Sequence, residues 1–293
     1  MPLDRTYERR LGALVNARAA SALQGGLKGV EKESLRVTPR GRIAQTPHAK
    51  ALGSALTHEH LTTDYSEALI ELVTPAFPET WELTQYLCDL HQFVYRNIGE
   101  ELLWATSMPC AIAGDESIPI AEYGLSNVGQ MKTIYRRGLG LRYGRVMQAI
   151  SGVHFNYSFP EHFWPVLADL VKKPDDGRDF RSDAYFGLLR NYRRHGWLIL
   201  YLFGNSPAIC PSFLQGRKVD WLQEFVPGSL YAPHATSLRM SDLGYRNKSQ
   251  AGLSVSVNSL EHYVRDLTRA ITTPHPDYVK LGVKVDGEYV QLN

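Results

Sequence analysis

The first part of the chain alternates between apolar and polar residues, a pattern that predicts β-strands. Residues 30–37 and 42–46 alternate on either side of the sequence PRGR, and residues 68–74 form a similar run that ends at Pro75. Successive side chains of a strand point to opposite faces of its sheet, so this period of two indicates half-buried strands, the first two joined by a turn. Further strands are predicted at 146–158, at 251–256 and near the C-terminus.

Longer segments repeat their apolar residues with the period of a helix. Residues 3–23 do so before the chain reaches Gly25 and Gly26, and residues 81–97 place apolar side chains at i, i+3 and i+4. The aromatic residues of this second segment are therefore predicted to lie in the core rather than against a cofactor. Because no βαβ unit repeats, we predict an α+β fold with a largely antiparallel sheet. Other helices are predicted at 128–138, 161–172, 183–195 and 258–272.

Composition excludes several functional classes. The 293 residues are 44% hydrophobic and carry a net charge of +2 without a block of Lys or Arg, which indicates a globular protein that binds no nucleic acid. The longest apolar run, residues 197–203, is too short to cross a bilayer, and the first residues lack the pattern of a secretory signal. Three cysteines without CxxC spacing predict neither a zinc site nor a disulfide framework, and they fit the cytoplasm.

Two carboxylates in the sequence GVEKESLRV suggest chemistry. Glu31 and Glu33 are two residues apart in a predicted strand, so both point to one face, about 6.6 Å apart along the chain. Like charges held this close repel each other, and a bound cation would offset the repulsion. Taken alone, the pair fits either a magnesium–nucleotide site or the solvated face of an edge strand.

Two other segments contribute groups of the same kind. Asp64, Glu67 and Glu71 lie in TTDYSEALIELVTP with no basic residue between them. Glu71 projects from a partly apolar strand face, where an unpaired charge is costly. His154 alternates with apolar neighbours in SGVHFNYS, as either a core histidine or a ligand. Taken together, the acids and His154 fit a site for a hard cation.

Three other motifs are assigned no catalytic role. GLGLRYG at 138–144 has Tyr143 where a dinucleotide-binding loop needs glycine, and no strand is predicted before it. The two histidines of HEH at 58–60 are interpreted as a solvated pair rather than a metal site. Cys210 lies in the apolar sequence SPAIC and is predicted to be a buried structural thiol.

Dense sequence blocks run in order from the region of residue 20 to the last residue. They are GVEKESLRV, ALGSALTHEHLTTDYSEALIELVTP, SMPC, SNVGQMKTIYRRGL, RYGRVMQAISGVHFNYS, YLFGNSPAIC, SFLQG and ATSLRMSDLGYRNKSQ. This combination resembles the proteobacterial type of the glutamate–cysteine ligase family. The resemblance implies a glutamine-synthetase-like catalytic fold, in which an antiparallel sheet with flanking helices forms a cradle for metals, ATP and substrates. Residues 1–293 would be the N-terminal part of a single catalytic domain.

The resemblance further implies the first step of glutathione synthesis. Glutamate, cysteine and ATP would give γ-glutamylcysteine, ADP and phosphate through γ-glutamyl phosphate. Because phosphoryl transfer brings negative charges together, magnesium, or manganese in its place, would offset them. By resemblance, the metal ligands would be Glu31, Glu33, Asp64, Glu71 and His154, with Glu67 as a further candidate.

Substrate contacts carry over from the resemblance residue by residue. Arg239 would act in catalysis by pairing its planar guanidinium with a substrate carboxylate. Tyr65 stands where the family has phenylalanine, and core packing is the alternative for it and for the other tyrosines. The remaining contacts implied are Tyr135 and Tyr245 for the cysteine pocket, Gln148 and Asn156 for glutamate, and Lys132 and Arg136 for phosphate or carboxylate groups.

Family members are expected to continue beyond LGVKVDGEYVQLN, where this sequence ends. By resemblance, the further part would supply another metal-binding glutamate, an arginine near the phosphates and a pocket tyrosine, so the fold and the metal shell are expected to be incomplete at the C-terminus. The full-length enzyme is expected to be a monomer. Two alternatives stay open: a ligase of the same fold that joins glutamate to another amine, and an inactive chain that only binds.

Overall fold

The computed structural model describes residues 5–204, 206–243 and 253–292, and residues 5 and 6 by their backbone only. The α-helices are α1 (Arg5–Asn16), α2 (Thr80–Asn97), α3 (Asn127–Tyr143), α4 (Arg145–Gln148), α5 (Phe163–Leu170), α6 (Arg178–His195), α7 (Trp197–Phe203), α8 (Leu260–Thr272) and α9 (Pro276–Leu281). The strands are β1 (Leu27–Val37), β2 (Leu61–Thr63), β3 (Leu69–Val73), β4 (Leu102–Leu103), β5 (Val153–Ser158), β6 (Ala208–Ile209), β7 (Gln223–Val226), β8 (Ser229–Tyr231), β9 (Lys284–Val285) and β10 (Glu288–Tyr289).

The main sheet is built around β1. This strand pairs with β5 through residues 27–32, with β3 through residues 31–35 and with β4 through residues 36–37, and β2 extends the sheet beyond β3. All of these pairings are antiparallel, as are those of the smaller sheets β6–β8–β7 and β9–β10. The predicted α+β fold with a largely antiparallel sheet and flanking helices is therefore confirmed.

Side chains of β3 alternate between the two faces of the sheet, and one of these faces is covered by α2. Ile70 and Leu72 point to one face, where they pack against Leu90 and Val94 of α2. Leu69 points to the opposite face and joins the main core cluster together with Leu35 of β1. Glu71 shares the face of Leu69, so this second face is core at one end of the strands and carries acidic residues further along.

Several predicted elements differ from those observed. The predicted helix 3–23 is interrupted at Arg18, whose φ is 50°, and continues as the 3-10 helix Ala19–Leu23. The predicted strand 42–46 reduces to a single bridge between Val37 and Ile43, and Pro47, which cannot donate a ladder hydrogen bond, follows shortly after. The GLGLRYG sequence lies at the end of α3 rather than in a loop.

The predicted strand 146–158 is wrong in its first half. Residues 145–148 form the short helix α4, and β5 begins only at Val153. A short apolar run fits a buried helical turn as well as a strand, so periodicity does not separate the two there. Residues 253–256 are not a strand, and the rest of the predicted strand 251–256 lies outside the described residues. In the part of the chain that the structure describes, no helix combines the length and the apolar character that a membrane crossing needs.

Candidate metal and substrate site

The strand register places three acidic residues and a histidine on the same face of the main sheet. Glu33 of β1 lies directly opposite Glu71 of β3, and Glu31 lies opposite His154 of β5. The carboxylates of Glu31 and Glu33 therefore share a face, as their spacing predicted. Glu31 Oε2 and His154 Nδ1 are 3.0 Å apart, so β1 supplies the centre of the cluster and its neighbours supply the two sides.

Three of these side chains converge closely enough to hold one ion. One ligand atom from each of Glu31, Glu71 and His154 lies within 4.8 Å of the other two. Two carboxylates and one imidazole suit a divalent cation that accepts oxygen ligands and a nitrogen, such as Mn²⁺ or Mg²⁺. We call Glu31, Glu71 and His154 the triad.

The charges around Glu71 test whether the triad fits a cation. Burial and then the negative charges of Asp64, Glu33 and Glu31 raise the pKa of Glu71, His154 lowers it, and the net result is a pKa of about 7. Burial and Asp64 also raise the pKa of Glu33. The surrounding acids therefore disfavour the charged form of Glu71, and a bound cation would favour it. This donor set fits a divalent metal.

Asn156 orients the carboxylate of Glu31. Its Nδ2 donates a hydrogen bond to Glu31 Oε1 at 2.9 Å, while His154 bonds to the other oxygen of the same carboxylate. The hydrogen bond with His154, followed by that with Asn156, lowers the pKa of Glu31 although burial opposes it. Asn156 therefore contacts a triad residue, which the sequence did not predict, and its predicted contact with glutamate stays a prediction. The spacing of two residues between His154 and Asn156 was the available signal, since it puts both on one strand face.

Arg239 reaches the cluster through Ser151 and Gly152. Its Nη1 donates to the Ser151 carbonyl at 2.9 Å, and the N–H of Gly152 donates to Glu33 Oε2 at 2.6 Å. A Cβ on Gly152 would lie 3.0 Å from Arg239 Nη1 and 3.4 Å from Glu33 Oε2, so the close approach depends on a residue without a side chain. The guanidinium thus lies at the edge of the acidic cluster, where a carboxylate ligand could bond to it.

Two of the cationic residues of α3, Lys132 and Arg136, lie over the ring of Tyr123, and Arg136 also reaches Asp64. Arg136 Nε donates to the Asp64 carbonyl, and the Lys132 ammonium and the Arg136 guanidinium lie 5.0 and 4.6 Å from the ring centre of Tyr123. Tyr123 is itself fixed, since its hydroxyl donates to the carbonyl of Thr63 at 2.6 Å. Asp64 is not in the triad, but its charge raises the pKa of both Glu33 and Glu71.

Other predicted site residues lie elsewhere. Both Glu67 carboxylate oxygens accept backbone N–H groups, from His48 at 2.7 Å and from Glu122 at 2.8 Å, which is a structural role. Tyr65 is 1% exposed within the main core cluster rather than on the open face, and burial raises its pKa to about 12. Tyr135 is exposed on α3, Gln148 is buried at the end of α4, and Tyr245 lies outside the described residues.

Two of the three motifs without a predicted catalytic role, HEH and the Cys210 segment, make specific local contacts. His58 Nδ1 accepts the backbone N–H groups of His60 and Leu61, and His60 Nδ1 lies 3.0 Å from the carbonyl of Val73. These contacts fix the chain that leads into β2, while His58 is exposed and His60 is half-buried, so the predicted solvent exposure holds for His58 and only in part for His60. Cys210 is half-buried rather than fully buried as predicted, and its Sγ lies 3.1 Å from Ser212 Oγ.

The fold and the triad define an α+β protein whose sheet presents a face of converging carboxylate and histidine side chains, and comparison with known proteins supplies the family. Residues 11–293 match the model of the glutamate–cysteine ligase family. A glutamate–cysteine ligase of Alcanivorax borkumensis is 55% identical over 291 residues, and one of Pseudomonas putida is 54% identical over 267 residues. The chain belongs to the glutamate–cysteine ligase family.

Solved structures show the same relationship. The glutamate–cysteine ligase of Francisella tularensis, crystallised in complex with AMP, superposes with a TM-score of 0.84 at 38% identity over 92% of this chain. A bifunctional glutathione synthetase of Pasteurella multocida gives a TM-score of 0.71 at 29% identity over 89% of this chain. These matches cover 53% and 32% of those two chains, and the sequence matches cover 55% and 51% of the two ligases. The chain thus spans about half the length of the ligases that it matches.

Proposed function

We propose that this chain carries the metal-binding and substrate-binding face of an ATP-dependent ligase that joins the γ-carboxylate of glutamate to the amino group of cysteine. The observation that carries the proposal is the triad, with its ligand atoms within 4.8 Å of one another in a chain of the glutamate–cysteine ligase family. ATP, glutamate and cysteine are the proposed ligands. The proposed place of action is the cytoplasm, with the full-length enzyme as a monomer.

The chemistry explains why such a site needs concentrated positive charge. A carboxylate is a poor electrophile, so an amine does not displace its oxygen directly. Transfer of the γ-phosphoryl group of ATP to the γ-carboxylate would give γ-glutamyl phosphate, and the amino group of cysteine would then displace phosphate. Each of these steps brings anionic groups together, and catalysis depends mainly on positioning them and offsetting their charge.

Glu31, Glu71 and His154 would hold a divalent cation, Mg²⁺ or Mn²⁺, and Glu33 and Asp64 would add negative charge around a second one. A bound cation of this kind supplies positive charge to phosphate oxygens. Asn156 would keep the Glu31 carboxylate turned toward His154, because it occupies the other carboxylate oxygen. The main proposed role of Asn156 is therefore to orient a metal ligand, and contact with glutamate is a further proposed role.

Positively charged side chains would hold the anionic parts of the substrates. Arg239 would pair with a substrate carboxylate, since its guanidinium already lies beside the acidic cluster and is held by the Ser151 carbonyl. Lys132 and Arg136 would contact phosphate groups from α3. Tyr135 is exposed and available for the cysteine pocket. Three other residues stay proposed contacts from the sequence resemblance alone: Tyr65, Gln148 and Tyr245.

The test is phosphate release by the 293-residue protein with ATP, Mg²⁺, glutamate and cysteine, with the peptide product identified by mass spectrometry. Release that requires both amino acids is expected. Glu31→Gln and His154→Ala should each lower the rate by more than about 100-fold, because they remove groups that hold the cation. Glu59→Gln is the matched control, since Glu59 is an exposed carboxylate outside the triad and should leave the rate unchanged.

Each alternative predicts a different result in the same assay. A ligase for another amine would release phosphate with glutamate and a different amine but would not respond to cysteine. An inactive binding chain would bind ATP in the presence of Mg²⁺, measured by calorimetry, without releasing phosphate with any amine. Either result would contradict the proposed activity for this chain.

A further inference from the structure

Cys110 and Cys210 lie side by side, although they are far apart in the sequence. Each thiol lies close enough to the other to shift its ionisation, and Cys210 Sγ lies 3.1 Å from Ser212 Oγ. Cys110 belongs to the loop after β4, and Cys210 directly follows β6. The contact does not depend on the sulfur atoms alone, because the N–H of Ile112 also donates to Ser212 Oγ at 3.1 Å and ties the same two segments together.

The two thiols have different surroundings. Burial raises the pKa of Cys210, but hydrogen bonds from Cys110, from Ser212 and from the amides of Ala111 and Ser212 outweigh it and bring that pKa below the ordinary value. Burial, with the contact to Cys210, raises the pKa of Cys110 to about 11. Cys210 is thus the thiol that ionises first, with Cys110 as a protonated donor beside it.

The backbone directly after Cys110 is held in an unusual conformation. Ala111 has a φ of 52°, in the left-handed region that residues with a Cβ rarely adopt. Its N–H is directed at the Cys210 thiol and lowers the pKa of that group. The next residue, Ile112, is buried in the main core cluster, which keeps the loop in place. Strain of this kind persists only where the surrounding structure fixes it, and it often accompanies a functional group.

We propose that Cys110 and Cys210 form a reversible disulfide, in which Cys210 attacks a small disulfide and Cys110 resolves the intermediate. The Cys210 thiolate attacks one sulfur of the oxidant RS–SR, the S–S bond breaks, and RS⁻ leaves. Cys110 then gives its proton to that RS⁻, its sulfur attacks the sulfur of Cys210, and a second RS⁻ leaves. The two cysteines are oxidised, and RS–SR is reduced to one RSH and one RS⁻.

The disulfide would link two segments that both reach Arg239. Ser107, in the loop of Cys110, donates through Oγ to the Ser151 carbonyl at 2.5 Å, and the same carbonyl accepts from Arg239. On the other side, the carbonyl of Ser206 just before β6 accepts the N–H of Leu238 at 2.9 Å. Disulfide formation could therefore shift Arg239 through these contacts. Only this effect on the proposed substrate site rests on the proposed function; the disulfide itself does not.

The test uses glutathione disulfide as the oxidant on the whole protein, without ATP or substrates. After free thiols are blocked with iodoacetamide, peptide mass mapping should show a Cys110–Cys210 cross-link that dithiothreitol reverses. Cys110→Ser should stop the reaction at a glutathione adduct on Cys210, and Cys210→Ser should leave Cys110 as a thiol. Cys88→Ser is the matched control, because Cys88 is exposed on α2 and should not affect the cross-link.

Two results would overturn the proposal. If glutathione disulfide modifies Cys88 while Cys110 and Cys210 both remain thiols, the pair does not react as a disulfide couple. If iodoacetamide modifies Cys110 of the unaltered protein as fast as Cys210, the assigned order of attack is wrong, and this measurement needs no variant that must fold. Because neither readout involves phosphate release, failure of the ligase assay leaves the disulfide test intact.

Discussion

Strand β1 carries buried charged residues in two regions. The regions differ in whether the fold supplies a partner of opposite charge. Near its end, Arg36 is 1% exposed and forms an ion pair of 2.6 Å with Glu101, and it also donates to Thr46. Three residues earlier on the same strand, Glu33 faces Glu71, a residue of the same charge. One region offsets its charge with its own side chains, and the other concentrates charge of one sign.

The difference separates a structural role from a binding role. A buried charge is costly unless a partner of opposite sign compensates it. Glu101 compensates Arg36 within the fold, so that region needs nothing else. Around Glu71 the neighbouring acids add to the cost of burial, and burial together with these acids raises the pKa of its carboxyl to about 7. Uncompensated charge, rather than charge itself, indicates where a ligand would bind.

The largest expected effect comes from removing the compensated charge. Arg36→Met leaves Glu101 without its partner at a position where the carboxylate is only 14% exposed. We expect a loss of about 3–5 kcal/mol in the free energy of unfolding, the usual cost of breaking a buried ion pair. Urea denaturation measures it. Arg42→Met, at an exposed arginine, should change stability little, and an equal loss in both variants would contradict the comparison.

Removing a triad residue should affect binding rather than folding. Glu31→Ala takes away a carboxylate that bonds to both His154 and Asn156, and we expect Mn²⁺ affinity to fall by more than about 100-fold, above the range for residues that only support a ligand. Titration followed by electron paramagnetic resonance of free Mn²⁺ measures the affinity. Unchanged Mn²⁺ binding in Glu31→Ala, with Glu59→Ala as the control, would exclude the triad as the metal site.

A smaller effect is expected from the residue that orients Glu31. Asn156→Ala should lower Mn²⁺ affinity about tenfold, because the carboxylate loses the hydrogen bond that fixes one of its oxygens. The same substitution made in the Glu31→Ala background should have no further effect, since Asn156 acts through Glu31. If the two effects simply add, Asn156 contacts the ion or the substrate independently.

The smallest effect should be a gain in stability. Without metal, Glu71→Gln removes the like-charge pair with Glu33 and should stabilise the protein by roughly 0.2–1 kcal/mol. Burial, followed by the charges of Asp64, Glu33 and Glu31 and opposed by His154, raises the pKa of Glu71 from 4.5 in the unfolded chain to about 7, so the wild type loses stability as pH rises through that interval. The stability difference between variant and wild type should therefore grow from pH 4.5 to 7.

Thermal unfolding in the presence of a chelator measures this gain at each pH. Glu33→Gln is the matched control, because it removes the same like-charge pair but also weakens the bond from the Gly152 amide, so its gain should be smaller. A difference between Glu71→Gln and the wild type that does not change with pH would contradict the assigned cause.

Local sequence patterns predicted the parts of the site that depend on local geometry. The period of two was enough to put Glu31 and Glu33 on one face of β1, and the acid-rich segment before β3 suggested Glu71. The opposition of Glu31 to His154 could not be predicted from spacing, since it depends on the register between strands far apart in the chain. The contact of Cys110 with Cys210 has no local signal for the same reason.

Tertiary packing decided the remaining differences. Tyr65 follows Asp64 in the sequence and was predicted to line a substrate pocket, but its ring packs in the main core cluster. Glu67 resembles its acidic neighbours in sequence, yet it accepts two backbone N–H groups from other segments. Side chains of the same chemical type therefore have different roles, some structural and some at the candidate site. Contacts between distant segments, which only the folded chain provides, decide between these roles.

The backbone dynamics of strand β5 should report whether a ligand occupies the candidate site. Among the described residues its ladder partner is β1 alone, and its Val153 and Phe155 side chains are largely exposed, so the ladder with β1 and the Glu31 contacts contribute much of what holds it. A ligand that bridges His154 and Glu71 would join β5 to β3 across β1 and slow the local opening of its amides. Hydrogen exchange in residues 153–158 would then report occupancy of the site without any assay of catalysis.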